Sequence, residues 1–393
     1  MSAKGRLARC ALCDRRFGDD GVIHSREHII PNSIGGQKKV YGILCKECND
    51  RTGSEWDSVL AEQLSFLSSL LAIVRDDGKQ PSIDIVTMSG KRLRKHADGR
   101  LTYRPEPPVE TKTEDGVSIS ASVSTMEEAR KLLEGYKRKY PKLDVESALK
   151  TLKTEKAYLP EPVKSPVFIT GNAAGRSIVK SAFVMAFYAC VAPECCELAK
   201  RYLTGDDGAF CWWFYYDREV VMNRAPGQIF HCVAVGGNPD TKQLIAYVEL
   251  FAAFRMLVLL STEYTGKKFS CSYAIDPTVG VERELSFDLG IPAEEVTSAC
   301  QGGNKYVKGM ISALNQLMPV ALARSYERER EKVLKEAVSD ALARMNVAPG
   351  ERVTRAQATE ATRLIMERLT HCIEHQVTAL STPIKPPEEP EKS

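Results

Sequence analysis

Four cysteines near the start of the chain form two closely spaced pairs. The pairs are Cys10-Ala-Leu-Cys13 and Cys45-Lys-Glu-Cys48. Four thiolates at this spacing are the ligand set of a closed tetrahedral zinc site, which leaves no coordination position for a substrate. Residues 1–53 are rich in turn formers and carry little apolar mass, and a unit of this kind needs a metal to fold. We therefore expect the four cysteines to bind one structural Zn²⁺ that takes no part in catalysis.

The segment between the two pairs is long enough to hold a second functional element. A simple zinc ribbon separates its pairs by about 15–20 residues, whereas 31 residues separate Cys13 from Cys45. This insert contains Glu27-His28-Ile-Ile-Pro31 and Gly35-Gly36, and Asn49 follows the last cysteine directly. A neutral imidazole is a suitable general base, and carboxylate and amide oxygens suit a hard divalent cation. The insert is therefore long enough to place such residues next to the zinc site.

The combined spacing of these residues resembles the HNH endonuclease family. The resemblance covers roughly residues 8–60 and is to the branch whose ββα-metal motif is stapled by a four-cysteine zinc. It implies that His28 is the general base that deprotonates a water molecule. It also implies that Glu27 and Asn49 hold the catalytic cation, Mg²⁺ or Mn²⁺, and that Gly35-Gly36 forms the tight turn between the two strands.

Some of these assignments have alternatives. Asn49 could instead cap the helix that follows it, and a Glu-His pair in a loop is often only solvated. Relatives commonly carry an asparagine shortly before the second cysteine pair, where it orients the histidine through a backbone contact. The corresponding stretch, residues 38–43, has no asparagine, and Asn32 is the nearest one in sequence.

The resemblance implies a double-stranded DNA substrate held through its phosphates. The net charge of +3 is nearly neutral for a chain of this length, so a local basic patch must supply the contacts. Arg26, Lys38 and Lys39 are the candidates. We expect a metal-dependent endonuclease that hydrolyses DNA phosphodiester bonds, and a regulated host-defence effector is one role for such a module. The alternatives are a catalytically inactive zinc-stapled DNA-binding module and a scaffold for protein contacts.

The elements around this motif predict an α+β protein with several domains. A chain of 393 residues is too long for one ordinary core. Apolar residues recur at helical spacing from Ser54 to Val74, short strands alternate over 82–123, and helices are expected at 125–140, 175–202 and 305–380. The predicted divisions are a nuclease module (1–75), an α+β connecting region (76–159), an α+β domain of regulatory, sensing or oligomerisation role (160–300), a helical region (301–380) and a flexible tail (381–393).

The larger part of the chain contains no motif with an evident chemical role. Gly171-Asn-Ala-Ala-Gly-Arg176 could hold an anion at a helix start, although a plain helix entry is the commoner arrangement. Trp212-Trp213-Phe-Tyr-Tyr216 could stack bases, although an aromatic core strand is more usual. We allow for homo-oligomers and for a small-molecule or protein activator that binds the C-terminal domain. The chain has no apolar run of about 18 residues and no signal peptide at its start, so we expect no membrane contact and a cytoplasmic location.

Overall fold

A computed structural model gives the fold of the chain. It describes residues 7–381 except 77, 79, 104–106, 114–115, 122, 124, 153–157, 160, 166, 206–210, 217, 303–305 and 346–349. The predicted tail beyond residue 381 lies outside the described residues. The chain divides into two compact units: unit 1 comprises Met1–Pro81 and Pro166–Leu322, and unit 2 comprises Ser82–Ser165 and Ala323–Ser393.

Helices and strands both contribute throughout the chain. The strands are β1 His24–His28, β2 Lys39–Cys45, β3 Ile83–Thr87, β4 Arg92–Lys95, β5 Leu101–Tyr103, β6 Val109–Thr113, β7 Gly116–Ser120, β8 Val163–Lys164, β9 Cys211–Trp213, β10 His231–Asn238, β11 Gln243–Leu250, β12 Phe254–Ser261, β13 Phe269–Asp276 and β14 Val281–Glu282. The α-helices are α1 Lys46–Thr52, α2 Ser58–Gln63, α3 Ser65–Leu71, α4 Met126–Lys139, α5 Val145–Lys150, α6 Gly171–Tyr188, α7 Glu197–Thr204, α8 Ala293–Cys300, α9 Tyr306–Met345 and α10 Arg355–Ser381.

Unit 1 begins with the hairpin of β1 and β2, followed by α1. A short π-helical segment, Gly53–Asp57, joins α1 to α2, so helical structure continues to the end of α3 with small irregularities. The apolar residues that recur at helical spacing are buried along this path: Trp56, Leu60, Leu64, Leu67 and Leu71. The arrangement of hairpin and helix is the ββα motif that the sequence predicts.

The rest of unit 1 is a six-stranded antiparallel sheet with helices on it. The strand order is β14-β13-β10-β11-β12-β9. Helix α6 contacts β10, β11 and β12 and also contacts β2, α2 and the π-helical segment of the ββα motif. Its residues from Ala174 to Ala186 are almost all buried. One continuous apolar core therefore runs from the ββα motif through α6 to the sheet.

Unit 2 contains a four-stranded sheet, a separate hairpin and helices. The sheet has the order β5-β4-β3-β8, and β6 pairs with β7. Helix α4 is capped by Thr125, whose side chain accepts a hydrogen bond from the Glu128 backbone N–H. The C-terminal helix α10 contacts α9, since Gln376 donates to the Tyr326 carbonyl oxygen.

The mixed helix and strand class is confirmed, but two boundaries differ from the predictions. The first long helix begins at Lys46, not at Ser54, because Cys45 caps it: its Sγ accepts the Cys48 N–H. The helical run predicted over 175–202 is split between α6 and α7, because Cys190 adopts a left-handed φ of +66° that ends α6, and the Val191 N–H donates back to the Ala186 carbonyl oxygen at 3.0 Å. The compact units also differ from the expected divisions, since residues 1–81 share a core with 166–322.

None of the helices in the described part of the chain combines the length and hydropathy needed to span a lipid bilayer.

Candidate functional site

The turn between β1 and β2 depends on its two glycines. Gly35 has a φ of +96°, which an L side chain rarely adopts. At Gly36 an added Cβ would lie 1.8 Å from the Ile30 carbonyl oxygen. The Gly36 N–H instead donates to the Pro31 carbonyl oxygen at 3.1 Å. This close backbone approach brings β2 back beside β1, with His28 paired opposite Lys39.

The four cysteines converge as the spacing predicts. The Sγ atoms of Cys10, Cys13, Cys45 and Cys48 all lie within 4.8 Å of one another, and those of Cys13 and Cys45 are 3.8 Å apart. Tetrahedral zinc with bonds of about 2.3 Å to sulfur requires sulfur–sulfur distances of this size. Hydrogen bonds from the Cys48 thiol and then from backbone N–H groups lower the pKa of Cys10 to about 4. The same coupling raises the pKa of Cys48, so it is the convergence of the four sulfur atoms that fits a structural zinc, whose ligands would be thiolates.

His28 is the last residue of β1 and is partly exposed. Its side chain is 21% accessible, and Nε2 lies 3.1 Å from Oδ2 of Asp76. Burial lowers the pKa of His28 below its usual value, although Asp76 acts in the opposite direction. The ring is therefore neutral at physiological pH, which is the form that can accept a proton.

Glu27 faces the interior, opposite in direction to its neighbours along β1. Its side chain is 3% exposed, and Oε1 accepts a hydrogen bond from Nζ of Lys180 at 2.7 Å. Lys180, on α6, is 1% exposed and also donates to Asp57 at 2.5 Å. Burial raises the pKa of Glu27 and Lys180 lowers it in turn. The cluster holds two carboxylates against one ammonium group.

The oxygens of Glu27 and Asn49 provide hard ligands near the motif. Among the described residues, the buried Oε2 of Glu27 has no hydrogen-bond partner. Asn49 Nδ2 donates to the Arg26 carbonyl oxygen at 3.1 Å, which leaves its Oδ1 as a potential ligand. Asn49 is not the helix cap, because Cys45 occupies that position. The unpartnered Oε2 of Glu27 is the feature of this site that would suit a hard divalent cation.

The three candidate nucleic-acid contacts differ in their surroundings. Lys38 is paired with Glu282 at 3.0 Å and lies over the rings of Tyr188 and Tyr273 at 5.4 and 5.1 Å from their centroids. Lys39 is paired with Asp76 at 2.5 Å. Arg26 is exposed. Arg26 therefore meets the requirement for a phosphate contact better than the two lysines.

A buried histidine fastens the hairpin turn to the large sheet. His231, at the start of β10, is fully buried and Nε2 donates to the Ile34 carbonyl oxygen at 2.8 Å. Its Nδ1 accepts the Phe251 N–H at 2.9 Å. Burial lowers the pKa of His231 to about 4. These two hydrogen bonds require the neutral ring with its proton on Nε2.

Residues of the glycine-containing segment 171–176 and of the aromatic segment 212–216 line one cavity of about 510 Å³. Gly171 and Asn172 at the start of α6 form one side, and Trp212, Trp213 and Tyr306 form another. The segment before α6 is tied to the ββα motif, since the backbone of Thr170 exchanges two hydrogen bonds with the Gln63 side chain at 2.9 and 3.0 Å.

Sequence reasoning missed three polar residues that contact the motif: Asp76, Lys180 and His231. A signal existed only for Lys180, which is a single charge within the apolar run Ser177-Ile-Val-Lys-Ser-Ala-Phe-Val. A lone charge in a buried helix usually has a buried partner. For Asp76 and His231 no local pattern distinguishes the residue from ordinary turn or strand positions.

Comparison with known proteins agrees with the resemblance inferred from the cysteine spacing. No curated protein and no solved structure gave a significant match. The family model described as HNH endonuclease matches residues 10–65, the segment that contains the cysteine cluster, the hairpin and the helix after it. Residues 10–65 are therefore an HNH endonuclease motif, which indicates a hydrolase that acts on nucleic acid.

Proposed function

We propose that this protein is a metal-dependent endonuclease that hydrolyses DNA phosphodiester bonds, with His28 as the general base. The observation that carries the proposal is the position of His28. It ends β1 with a partly exposed ring, inside a hairpin that the cysteine cluster holds against α1. The match to HNH endonucleases covers this same segment.

The proposed chemistry assigns a proton transfer to His28. Its neutral ring accepts a proton from a water molecule. The water oxygen forms a bond to phosphorus while the bond from phosphorus to the leaving sugar oxygen breaks, and the leaving oxygen takes up a proton from solvent. Glu27 and Asn49 would hold Mg²⁺ or Mn²⁺, which when bound supplies positive charge to the phosphate oxygens. Arg26 is exposed beside these residues and would contact a neighbouring phosphate.

One observation favours a second function, a zinc-stapled DNA-binding module without cleavage activity. Glu27 is buried, and Lys180 already holds one of its two carboxylate oxygens. If that ion pair persists in solution, only Oε2 remains for a cation, and metal affinity would be low. The two functions differ in whether bound DNA is cut.

The role of residues 160–380 is also part of the proposal. We infer that they regulate the nuclease, as expected of a host-defence effector, through oligomerisation or a bound activator. The supporting observation is helix α6, which carries Lys180 to Glu27 and whose first residues line the 510 Å³ cavity. A small molecule in that cavity would contact the same helix that neutralises Glu27. Adding nucleotides such as ATP or GTP to the cleavage reaction tests this role.

The direct test is cleavage of supercoiled plasmid by the full chain. Reactions contain MgCl₂, MnCl₂ or excess chelator, and the variants are His28→Ala and, as a matched control, His371→Ala. His371 is an exposed helix residue in unit 2. We expect metal-dependent nicking by the wild type and by the control, with a loss of roughly 10²- to 10⁴-fold in His28→Ala, the range that general acid–base catalysis contributes.

Two results would contradict the endonuclease assignment. Equal nicking by wild type and His28→Ala would remove the role given to His28. Absence of nicking with either metal, together with salt-sensitive retention of a DNA duplex in a gel-shift assay, would establish the binding module instead. A parallel reaction with RNA determines which nucleic acid is preferred.

A further inference from the structure

The histidine of this motif lacks its usual orienting asparagine, and the structure places a different group at the ring. Oδ2 of Asp76 lies 3.1 Å from Nε2 of His28. Asp76 comes after α3 and outside residues 10–65, the segment that matches the HNH endonuclease family. It is thus a contact that the motif itself does not contain.

Asp76 is held in place from several directions. Its backbone N–H donates to Oδ1 of Asn32 at 2.9 Å, and Nζ of Lys39 lies 2.5 Å from the same Oδ2 that faces His28. Two residues earlier, the Val74 N–H donates to the Pro277 carbonyl oxygen at 2.7 Å. Asn32 therefore does contribute to the site, because it anchors the segment that carries Asp76.

We propose that Asp76 is the positioning residue of His28, in place of the asparagine that relatives carry before the second cysteine pair. The inference rests on the proposed function of His28 as a base. A carboxylate can only accept a hydrogen bond when ionised, so Asp76 selects the ring tautomer with its proton on Nε2. Nδ1 then carries the lone pair, and no described residue hydrogen-bonds it. The proton taken from water goes to Nδ1, and the carboxylate stabilises the imidazolium that results.

The surroundings keep Asp76 in the accepting form. The Lys39 ammonium, followed by the His28 ring, holds the pKa of Asp76 below its usual value. Lys39 is the residue opposite His28 in the hairpin register, so the strand pairing places these two side chains together beside Asp76. A simple surface ion pair between Asp76 and Lys39 would not require the carboxylate oxygen to lie in hydrogen-bond range of the ring.

The kinetic test uses the full chain and a DNA duplex that contains one preferred cleavage position. The variants are Asp76→Asn, Asp76→Ala, Asp76→Glu and His28→Ala, with Asp240→Asn as a matched control because Asp240 is an exposed turn residue. A carboxamide can donate to Nε2 and so favour the wrong tautomer. We therefore expect Asp76→Asn to lower kcat by roughly 10²- to 10⁴-fold, with KM changed less than about twofold.

The other variants separate positioning from a merely structural role. Asp76→Glu keeps the carboxylate and should recover part of the kcat that Asp76→Ala loses, while zinc content and circular dichroism match the wild type in all variants. A kcat in Asp76→Asn within about twofold of wild type, with His28→Ala inactive, would overturn the inference and leave the proposed function intact. Full activity of His28→Ala would instead contradict the proposed function.

A spectroscopic measurement tests the contact even without cleavage. The side-chain nitrogens of ¹⁵N-histidine-labelled protein report which ring nitrogen is protonated, and the spectrum of His28→Gln identifies the His28 signals. We expect His28 in the wild type to show a protonated Nε2 and an unprotonated Nδ1, and Asp76→Asn to shift protonation toward Nδ1. Identical nitrogen shifts in the wild type and Asp76→Asn would refute the proposed contact.

Discussion

Replacement of Lys180 by methionine removes the only described cation that contacts the buried Glu27 carboxylate. Nζ of Lys180 lies 2.7 Å from Glu27 and 2.5 Å from Asp57, and the lysine side chain is 1% exposed. Methionine has a similar length and retains most of the apolar contacts on α6, so loss of packing is small. The variant Lys180→Met therefore isolates the electrostatic consequence of leaving two carboxylates without their partner.

The expected loss of stability is large. Removing one partner of a buried ion pair costs about 3–5 kcal/mol, since the remaining charge is neither solvated nor paired. For a unit of 150–250 residues each kcal/mol lowers the melting temperature by about 2–4 °C, which gives a decrease of about 6–20 °C for unit 1. An exposed pair in the same unit, Lys46–Asp50, provides the control: Lys46→Met should cost less than about 1 kcal/mol.

The assay follows tryptophan fluorescence during thermal and urea unfolding. All three tryptophans, Trp56, Trp212 and Trp213, belong to unit 1, so the signal reports this unit alone. The double variant Lys180→Met/Glu27→Gln should recover part of the loss, because the amide is neutral. A loss below about 1 kcal/mol in Lys180→Met would refute the buried ion pair.

The pH dependence of this loss has a definite sign. Burial already raises the pKa of Glu27, and removal of Lys180 raises it further. A folded-state carboxyl pKa above the unfolded value means that the folded form binds more protons, so stability falls as pH rises above the unfolded pKa. The difference in free energy of unfolding between Lys180→Met and the wild type should therefore be smaller at pH 5 than at pH 8. Equal differences at both values would contradict this account.

Three further predictions concern other parts of unit 1. Elemental analysis of protein purified without chelators should find one zinc per chain, and Cys48→Ser should lose the zinc and the folded ββα motif; zinc-free folded protein would contradict the cluster. Burial lowers the folded-state pKa of His231 to about 4, below the unfolded value, so about 3 kcal/mol of stability should be lost as pH falls from 6.5 toward 4. A His231→Gln variant whose stability depends on pH as steeply as that of the wild type would disprove this origin. Arg26→Gln should reduce the slope of log binding constant against log salt concentration by the equivalent of about one phosphate contact. Lys38→Gln should change this slope little, since Lys38 is paired with Glu282. Equal slopes for the two variants, measured by fluorescence anisotropy, would contradict the assignment.

The sequence predicted the parts of the site that depend on local spacing. The cysteine pairs converge, and Gly35-Gly36 lies in the turn between β1 and β2. Each of these follows from ligand spacing or turn geometry within a short segment.

The remaining contacts could not be predicted because they join distant parts of the chain. Lys180 reaches Glu27 across 153 positions in sequence, and His231 reaches Ile34 across 197. Asp76 reaches His28 across 48. No periodicity or spacing rule relates positions so far apart, and a single sequence carries only the composition of each segment. Local sequence patterns identify the chemistry of the motif. Its electrostatic surroundings depend on the tertiary fold.

These long-range contacts join the ββα motif to the rest of unit 1. Its buried carboxylate is paired with Lys180 on α6, its turn carbonyl accepts a hydrogen bond from His231 on β10, and its histidine is contacted by Asp76, beyond the matched segment. An isolated motif would expose or leave unpaired each of these groups, and burial without a partner is costly. The larger part of unit 1 therefore contacts both the Glu27 carboxylate and the turn after His28, so a movement of α6 would change the charge around Glu27.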